Sequence, residues 1–172
     1  YTADFNLLAV GLFFTVQEAA HLVMRPIGGR LGDRVGYLAA INTGYLVLFV
    51  GLLLLPYATS HVELLAIAVV VGAGQGLIFP STVAFVSRCV DTRNLGAGMG
   101  FLGAVRNFGK VAGPLTAGAL LTRMDYSQVF HLGGAVALLV VLTLLLLQKN
   151  YLEWIFSRTK LTNASEDEAI LR

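Results

Sequence analysis

Five long apolar runs constrain the fold of this chain more than any other feature. The chain has 172 residues, of which 56% are hydrophobic and 13% are charged, so its polar residues are too few to cover a water-soluble surface. A run of about 20 apolar residues crosses the hydrocarbon core of a bilayer, and its backbone must be hydrogen-bonded within the segment as a helix. The sequence therefore predicts an all-α polytopic membrane helix bundle, with spans at about 5–25, 37–56, 62–87, 96–121 and 127–147.

The positive charges lie almost entirely on one side of this predicted bundle. That side carries Arg25, Arg30, Arg34, Arg88, Arg93, Lys149, Arg158 and Lys160. The other side has only Arg123. Because cytoplasmic loops are enriched in Lys and Arg, we expect an integral protein of the plasma membrane or a bacterial inner membrane, with the Tyr1 side outside. The segment 148–172 is expected to be a cytoplasmic and partly disordered tail.

Several classes of function find no support in the sequence. The net charge of +2 is small and scattered, so nucleic acid is not an expected partner. A single cysteine, Cys89, excludes an internal disulfide and a cysteine metal cluster. We find no phosphate-binding glycine loop, no His-Glu metal spacing and no nucleophile-base pair, so we expect no catalytic residue, metal or cofactor. The chain opens without Met or a signal-peptide pattern, and we expect it to be a fragment of a longer protein.

A charged segment, 25–36, separates the first two apolar runs. We expect it to be a tight cytoplasmic turn, in which Gly29 and Gly36 allow the backbone to bend and Asp33 lies beside Arg34. Its pattern, Gly29-x-Leu31-Gly32-Asp33-Arg34-x-Gly36, resembles the signature loop of the major facilitator superfamily (MFS) of secondary transporters. The family pattern continues with two basic residues where Tyr37 and Leu38 stand here. The resemblance implies a protein that moves a small solute by alternating access between two six-helix halves, with proton-coupled efflux as one form of that activity.

The fourth run carries a ladder of small residues that begins at Gly100 and continues with Gly109, Gly113 and Pro114. Gly109 and Gly113 form a small-xxx-small face that allows close helix packing, and Pro114 allows a kink. The spacing resembles the glycine and proline motif of the proton-driven antiporters of the same superfamily, with Ala117 where that motif prefers glycine. This motif favours the first half of a transporter.

Other features favour the second half. The segment 72–76 resembles the fourth-helix motif Arg-x-x-Gln-Gly, with Gly72 in place of the arginine, and the signature loop lacks its basic ending. We therefore assign the five runs to helices eight to twelve, with helices two to six as the alternative. Either way, the partners of the chain are the lipid bilayer, the remaining helices of a full-length transporter and a small solute.

Polar and ionisable residues inside a membrane span are costly, and they are therefore candidates for function. Those in the predicted spans are Glu18, His21, Gln75, Arg106, Asn107 and Lys110. The functional interpretation makes Glu18 a proton-carrying carboxylate with His21 as a relay, and makes Arg106 and Lys110 anchors for an anionic solute. The structural alternative pairs Glu18 with a basic group across the bundle and places His21 at the interface.

Gln75 lies among glycines at mid-depth, where transporters place binding sites, although an interhelical hydrogen bond would explain it equally. The second and fifth spans have almost no polar residues at depth and are expected to face lipid. A rival interpretation is a membrane scaffold that oligomerises through Gly109 and Gly113 and transports nothing.

Overall fold

The computed structural model describes the backbone of residues 7–170 and the side chains of residues 8–148. Within these limits the chain forms five α-helices and no strand, which confirms the predicted all-α bundle. The helices are α1 (Leu7–Val35), α2 (Tyr37–Leu54), α3 (His61–Cys89), α4 (Leu95–Leu121) and α5 (Tyr126–Ile170). Short 3-10 turns at Leu55–Tyr57 and Thr92–Asn94 lead into the next connections.

Three of the described helices are long and apolar enough to cross a membrane. By length and composition these spans are Tyr37–Tyr57, His61–Cys89 and Tyr126–Gln148. The other two helices, α1 and α4, contain the ionisable residues that the sequence singled out, among them Glu18 and Arg106. The two helices that do not qualify as spans therefore contain the ionisable candidate residues, while Gln75 lies on the apolar helix α3.

The segment 25–36 differs from its prediction as a turn. Helix α1 continues through it to Val35, with Pro26 inside the helix. The chain changes direction only at Gly36, whose φ of 93° lies in the left-handed region that favours glycine. The expectation that Gly29 bends the backbone is wrong, since Gly29 is helical. Packing explains the continued helix, because a Cβ at Gly28 would lie 2.6 Å from the carbonyl oxygen of Gly76 on α3.

Helix α3 is the centre of the bundle and packs against both α1 and α2. It begins with a capping box in which Ser60 accepts a hydrogen bond from the Glu63 backbone and Glu63 accepts one from the Ser60 backbone. Further along, alternate glycines face opposite neighbours. A Cβ added at Gly76 would lie 2.7 Å from the His21 carbonyl oxygen on α1. A Cβ added at Gly74 would lie 2.8 Å from the Gly44 carbonyl oxygen on α2. The glycine segment of α3 therefore lets two helix backbones approach it at once.

Helix α2 lies between α3 and α5. Gly51 faces Val71 of α3, and the Phe49 ring lies near Gly134 of α5. One side of this helix is packed, and on the other Leu46 and Val50 are exposed, where contact with lipid stays a prediction. The second helix is thus less peripheral than its composition suggested.

Helix α5 ends later than its predicted span. The backbone remains helical from Tyr126 to Ile170, whereas the apolar span ends at Gln148 and the sequence predicted a partly disordered tail beyond it. The side chains after residue 148 lie outside the described part. The cytoplasmic location of this segment stays a prediction.

Helix α4 is the least packed element. None of its residues, all of which the structure describes, is buried. No described atom lies within 4 Å of a Cβ built at Gly100, Gly109 or Gly113. The predicted close packing of Gly109 and Gly113 against a second helix is therefore absent from the described residues.

Candidate functional site

A polar contact joins α1 and α3 near the middle of the bundle. The side-chain amide of Gln17 donates a hydrogen bond to the Gln75 carbonyl oxygen at 3.3 Å. Gln17 is buried, and its backbone packs against Gly72 so closely that a side chain there would collide with its carbonyl oxygen. The interhelical hydrogen bond anticipated for Gln75 is therefore present, and its partner is Gln17, the neighbour of Glu18 on α1.

Three ionisable residues of α1 form a chain along one face of the helix. His21 Nδ1 lies 3.2 Å from Glu18 Oε2, and Arg25 Nε donates to His21 Nε2 at 3.4 Å. Arginine can only donate, so Nε2 is the acceptor and the proton of the neutral imidazole is on Nδ1, facing the carboxylate. The His21 residue is 5% exposed, while the Glu18 side chain is 68% exposed. His21 is thus covered by protein while Glu18 is open, and the expected position of His21 at the membrane interface stays a prediction.

The Phe79 ring of α3 brings a fourth charge to this cluster. Arg25 Cζ lies 5.4 Å from the ring centroid, and Arg106 Cζ of α4 lies 4.1 Å from the same centroid. Both distances are within the range of cation–π attraction. One aromatic side chain thus connects α1, α3 and α4.

The other predicted residues of α4 share the exposure of Arg106. Asn107 and Lys110 are exposed on α4. Among the described residues Glu18 contacts the imidazole of His21 on its own helix, and no carboxylate lies within 4.0 Å of Arg106 or Lys110. Glu18 has no basic partner on another helix among the described residues, and its pairing across the full bundle stays a prediction.

The residues of the signature pattern, from Gly29 to Gly36, lie at the end of α1, beyond Arg25 of the cluster. Asp33 accepts a hydrogen bond from the Tyr37 hydroxyl at 2.7 Å, and the Arg88 guanidinium lies over the Tyr37 ring at 4.8 Å. Arg34 and Gly36 are exposed beside them. These residues, Arg34 excepted, line a cleft of about 380 Å³. Tyr37, which stands where the family pattern has a basic residue, therefore joins the Asp33 carboxylate to the Arg88 side chain.

The sequence did not identify two residues that matter inside the bundle, the aromatic Phe79 and the polar Asn42. Phe79 was one aromatic residue among many, and only its two guanidinium neighbours distinguish it. Asn42 of α2 is 5% exposed, and neither polar atom of its side chain has a hydrogen-bond partner among the described residues. An asparagine within an apolar span was a signal that could have identified this second residue.

The described residues offer no obvious metal site. No group of three or more His, Cys, Asp or Glu side chains in that part of the chain could hold a metal ion. The clustered residues instead supply hydrogen-bond donors, acceptors and positive charge, which suit an organic or inorganic solute.

Comparison with known proteins gives the family. The family model described as Major Facilitator Superfamily matches residues 1–168. An MFS-type transporter of Mycobacterium tuberculosis, Rv1250, is 31% identical over 120 residues, which are 70% of this chain and 21% of that protein. The quinolone resistance protein NorA of Staphylococcus aureus is 21% identical over 141 residues, which are 81% of this chain and 36% of that protein. The chain matches only these minor shares of its relatives' lengths, yet nearly all of it fits the family model, and it therefore belongs to the major facilitator superfamily.

Proposed function

We propose that this chain is part of a secondary active transporter that moves a small solute across a membrane by alternating access. The observation that carries the proposal is the cluster at which α1, α3 and α4 meet, formed by Gln17, Gln75, Glu18, His21, Arg25, Phe79 and Arg106. Polar and ionisable side chains inside a membrane bundle mark solute and proton pathways. The family membership supports the same activity.

The charges of the cluster favour an anionic solute. Arg25 and Arg106 are cations of the cluster, Lys110 lies one turn beyond Arg106 on α4, and Glu18 is the carboxylate of the cluster. Cations in a low-dielectric span are costly unless an anion compensates them. A solute with a negative charge would supply that compensation in the bound state.

The chain of hydrogen bonds on α1 supports proton coupling. Glu18 is exposed and lies next to His21. His21 is buried and accepts a hydrogen bond from Arg25. A proton taken up by the carboxylate would remove the charge that faces the imidazole, and so would change the balance of charge in the cluster. Export is the direction we propose, because a quinolone resistance protein is among the relatives.

One observation favours a second candidate. The face of α4 with Gly109 and Gly113 is open among the described residues, and such a face is suited to helix association. A scaffold that oligomerises through it would show association without flux.

The test uses the full-length transporter and measures solute binding together with thermal stability. Lys110→Met removes a cation that has no carboxylate partner here, so we expect about tenfold weaker binding of an anionic solute and unchanged stability. Lys110→Arg, which keeps the charge, is the matched control. The double variant with Glu18→Gln decides between the two roles. If it restores a stability that Lys110→Met had lost, the two residues form a structural pair and the proposal of a solute site is wrong.

A further inference from the structure

Two guanidinium groups share one aromatic ring in the cluster. Arg25 approaches the Phe79 ring from α1 and Arg106 approaches it from α4, at 5.4 and 4.1 Å from the centroid. The two Cζ atoms are therefore no farther apart than the sum of these distances. A guanidinium that contacts a ring is restrained in position, and it keeps its N–H groups for other acceptors.

Most of these N–H groups have no acceptor among the described residues. Arg25 donates from Nε to His21, and no carboxylate among the described residues lies within 4.0 Å of either guanidinium. Each guanidinium has five N–H donors in a planar fork, which matches a carboxylate through two parallel hydrogen bonds. The pair thus offers charge and donors to a planar anion.

The adjacent face of α4 has room for the body of such a solute. Arg106, Gly109, Lys110 and Gly113 lie at helical spacing on one face, and no described atom is within 4 Å of a Cβ at either glycine. Two glycines leave an almost flat strip of helix backbone beside the cations. A flat apolar group can lie against this strip, whereas side chains there would hold it away.

We infer that Arg25, Phe79 and Arg106 form the part of the solute site that recognises an aryl carboxylate. The carboxylate binds between the two guanidinium groups, and the aromatic body lies along the strip of Gly109 and Gly113. Phe79 acts as a positioning residue, because its ring holds both arginines. This inference rests on the proposed transport function and adds to it the class of solute and two residues, Arg25 and Phe79, that the family pattern does not identify.

The experiment measures equilibrium binding of 2-naphthoate to the full-length transporter in nanodiscs. Methyl 2-naphthoate tests the charge, and cyclohexanecarboxylate tests the flat ring. We expect 2-naphthoate to bind at least tenfold more tightly than either comparator. Equal binding of the acid and its ester would overturn the inference.

Variants of the ring test its positioning role. Phe79→Leu is expected to weaken 2-naphthoate binding at least fivefold, while Phe79→Tyr, which keeps a ring, restores binding to within twofold of the original protein. Arg106→Gln is expected to weaken it at least tenfold. Phe101→Leu, an exposed aromatic residue of α4 outside the cluster, is the matched control and leaves binding unchanged. If Phe79→Leu and Phe101→Leu behave alike, the role assigned to Phe79 is wrong.

Flux is measured separately in proteoliposomes with anionic, neutral and cationic solutes. A protein that transports cationic solutes but does not prefer 2-naphthoate over its ester overturns the inference and leaves the proposed function standing. A protein that binds 2-naphthoate in a Phe79-dependent way but moves no solute supports the site and overturns the transport function.

Discussion

The glycines of α3 and those of α4 have the same spacing in sequence and opposite environments in the structure. Gly72 and Gly76 are four residues apart and meet the backbone of α1 at Gln17 and His21. Gly109 and Gly113 are also four residues apart, and no described atom lies within 4 Å of a Cβ at either of them. Small residues at this spacing therefore permit close helix packing and do not by themselves show that packing occurs.

The difference separates a tightly packed part of the bundle, around α3, from a surface of α4 that no described residue covers. On α3 the glycines bring three helices together and hold Gln75 and Phe79 in place beside α1. On α4 they lie beside Arg106 and Lys110 and leave space. The glycines of α3 stabilise the fold, and the glycines of α4 are suited to contact with a solute or with another helix.

The most direct test of this comparison adds one methyl group to one glycine of each pair. Gly72→Ala places a Cβ against the carbonyl oxygen of Gln17, so α1 and α3 must separate. We expect the free energy of unfolding in detergent micelles to fall by about 1–3 kcal/mol, the usual effect of overpacking. Gly109→Ala is the matched control, and its stability is expected to change by less than about 0.5 kcal/mol.

The same pair of variants in the full-length transporter tells the two uses of α4 apart. A Gly109→Ala protein that is as unstable as Gly72→Ala would mean that a helix from the rest of the transporter packs on this face. That result would contradict the solute strip. Unchanged stability with weaker solute binding would support it.

The helices were largely predictable from the positions of the apolar runs, because a chain segment in lipid must bond its backbone internally as a helix. The predicted spans 37–56, 62–87 and 96–121 begin and end within about two residues of α2, α3 and α4. The end of α1 was not predictable in this way. Its glycines, its proline and its charges are typical of a turn, yet Gly28 packs on α3 and the segment stays helical. Tertiary packing thus overrides local preference there.

The candidate site was predictable in its residues and not in its contacts. The cost of burying charge identified Glu18, His21, Arg106 and Lys110 from the sequence. It did not indicate that Glu18 faces His21 on its own helix, or that Phe79 connects Arg25 with Arg106. Those contacts depend on how α1, α3 and α4 are arranged in space. A glycine spacing carries no information about which helix faces it.

The packed part of the bundle contains a buried polar side chain, Asn42 of α2, that has no hydrogen-bond partner among the described residues. Asn42 is seven residues before Phe49, so both lie on the face of α2 that packs on α5. Its side-chain amide has no partner among the described residues, and a buried unsatisfied polar group costs about 1–3 kcal/mol. We expect Asn42→Leu to raise the free energy of unfolding by about 1 kcal/mol. Thr43→Val, on the exposed side of the same helix, is the control and should have little effect. A destabilised Asn42→Leu protein would mean that the amide has an essential partner in the whole transporter.

The smallest expected effect concerns the polar contact that crosses the packed glycines. Gln17 and Gln75 are joined at 3.3 Å where Gly72 allows α1 and α3 to meet. Hydrogen bonds between membrane helices contribute about 0.6 kcal/mol on average, because the separated helices find other partners. A double-mutant cycle with Gln17→Met and Gln75→Met should therefore give a coupling free energy of about 0.6 kcal/mol, measured by unfolding in micelles. A coupling of zero would show that the glycines alone hold the two helices together. In that case the two glutamines are free to serve the solute, and each single variant should weaken solute binding while the unfolding free energy stays the same.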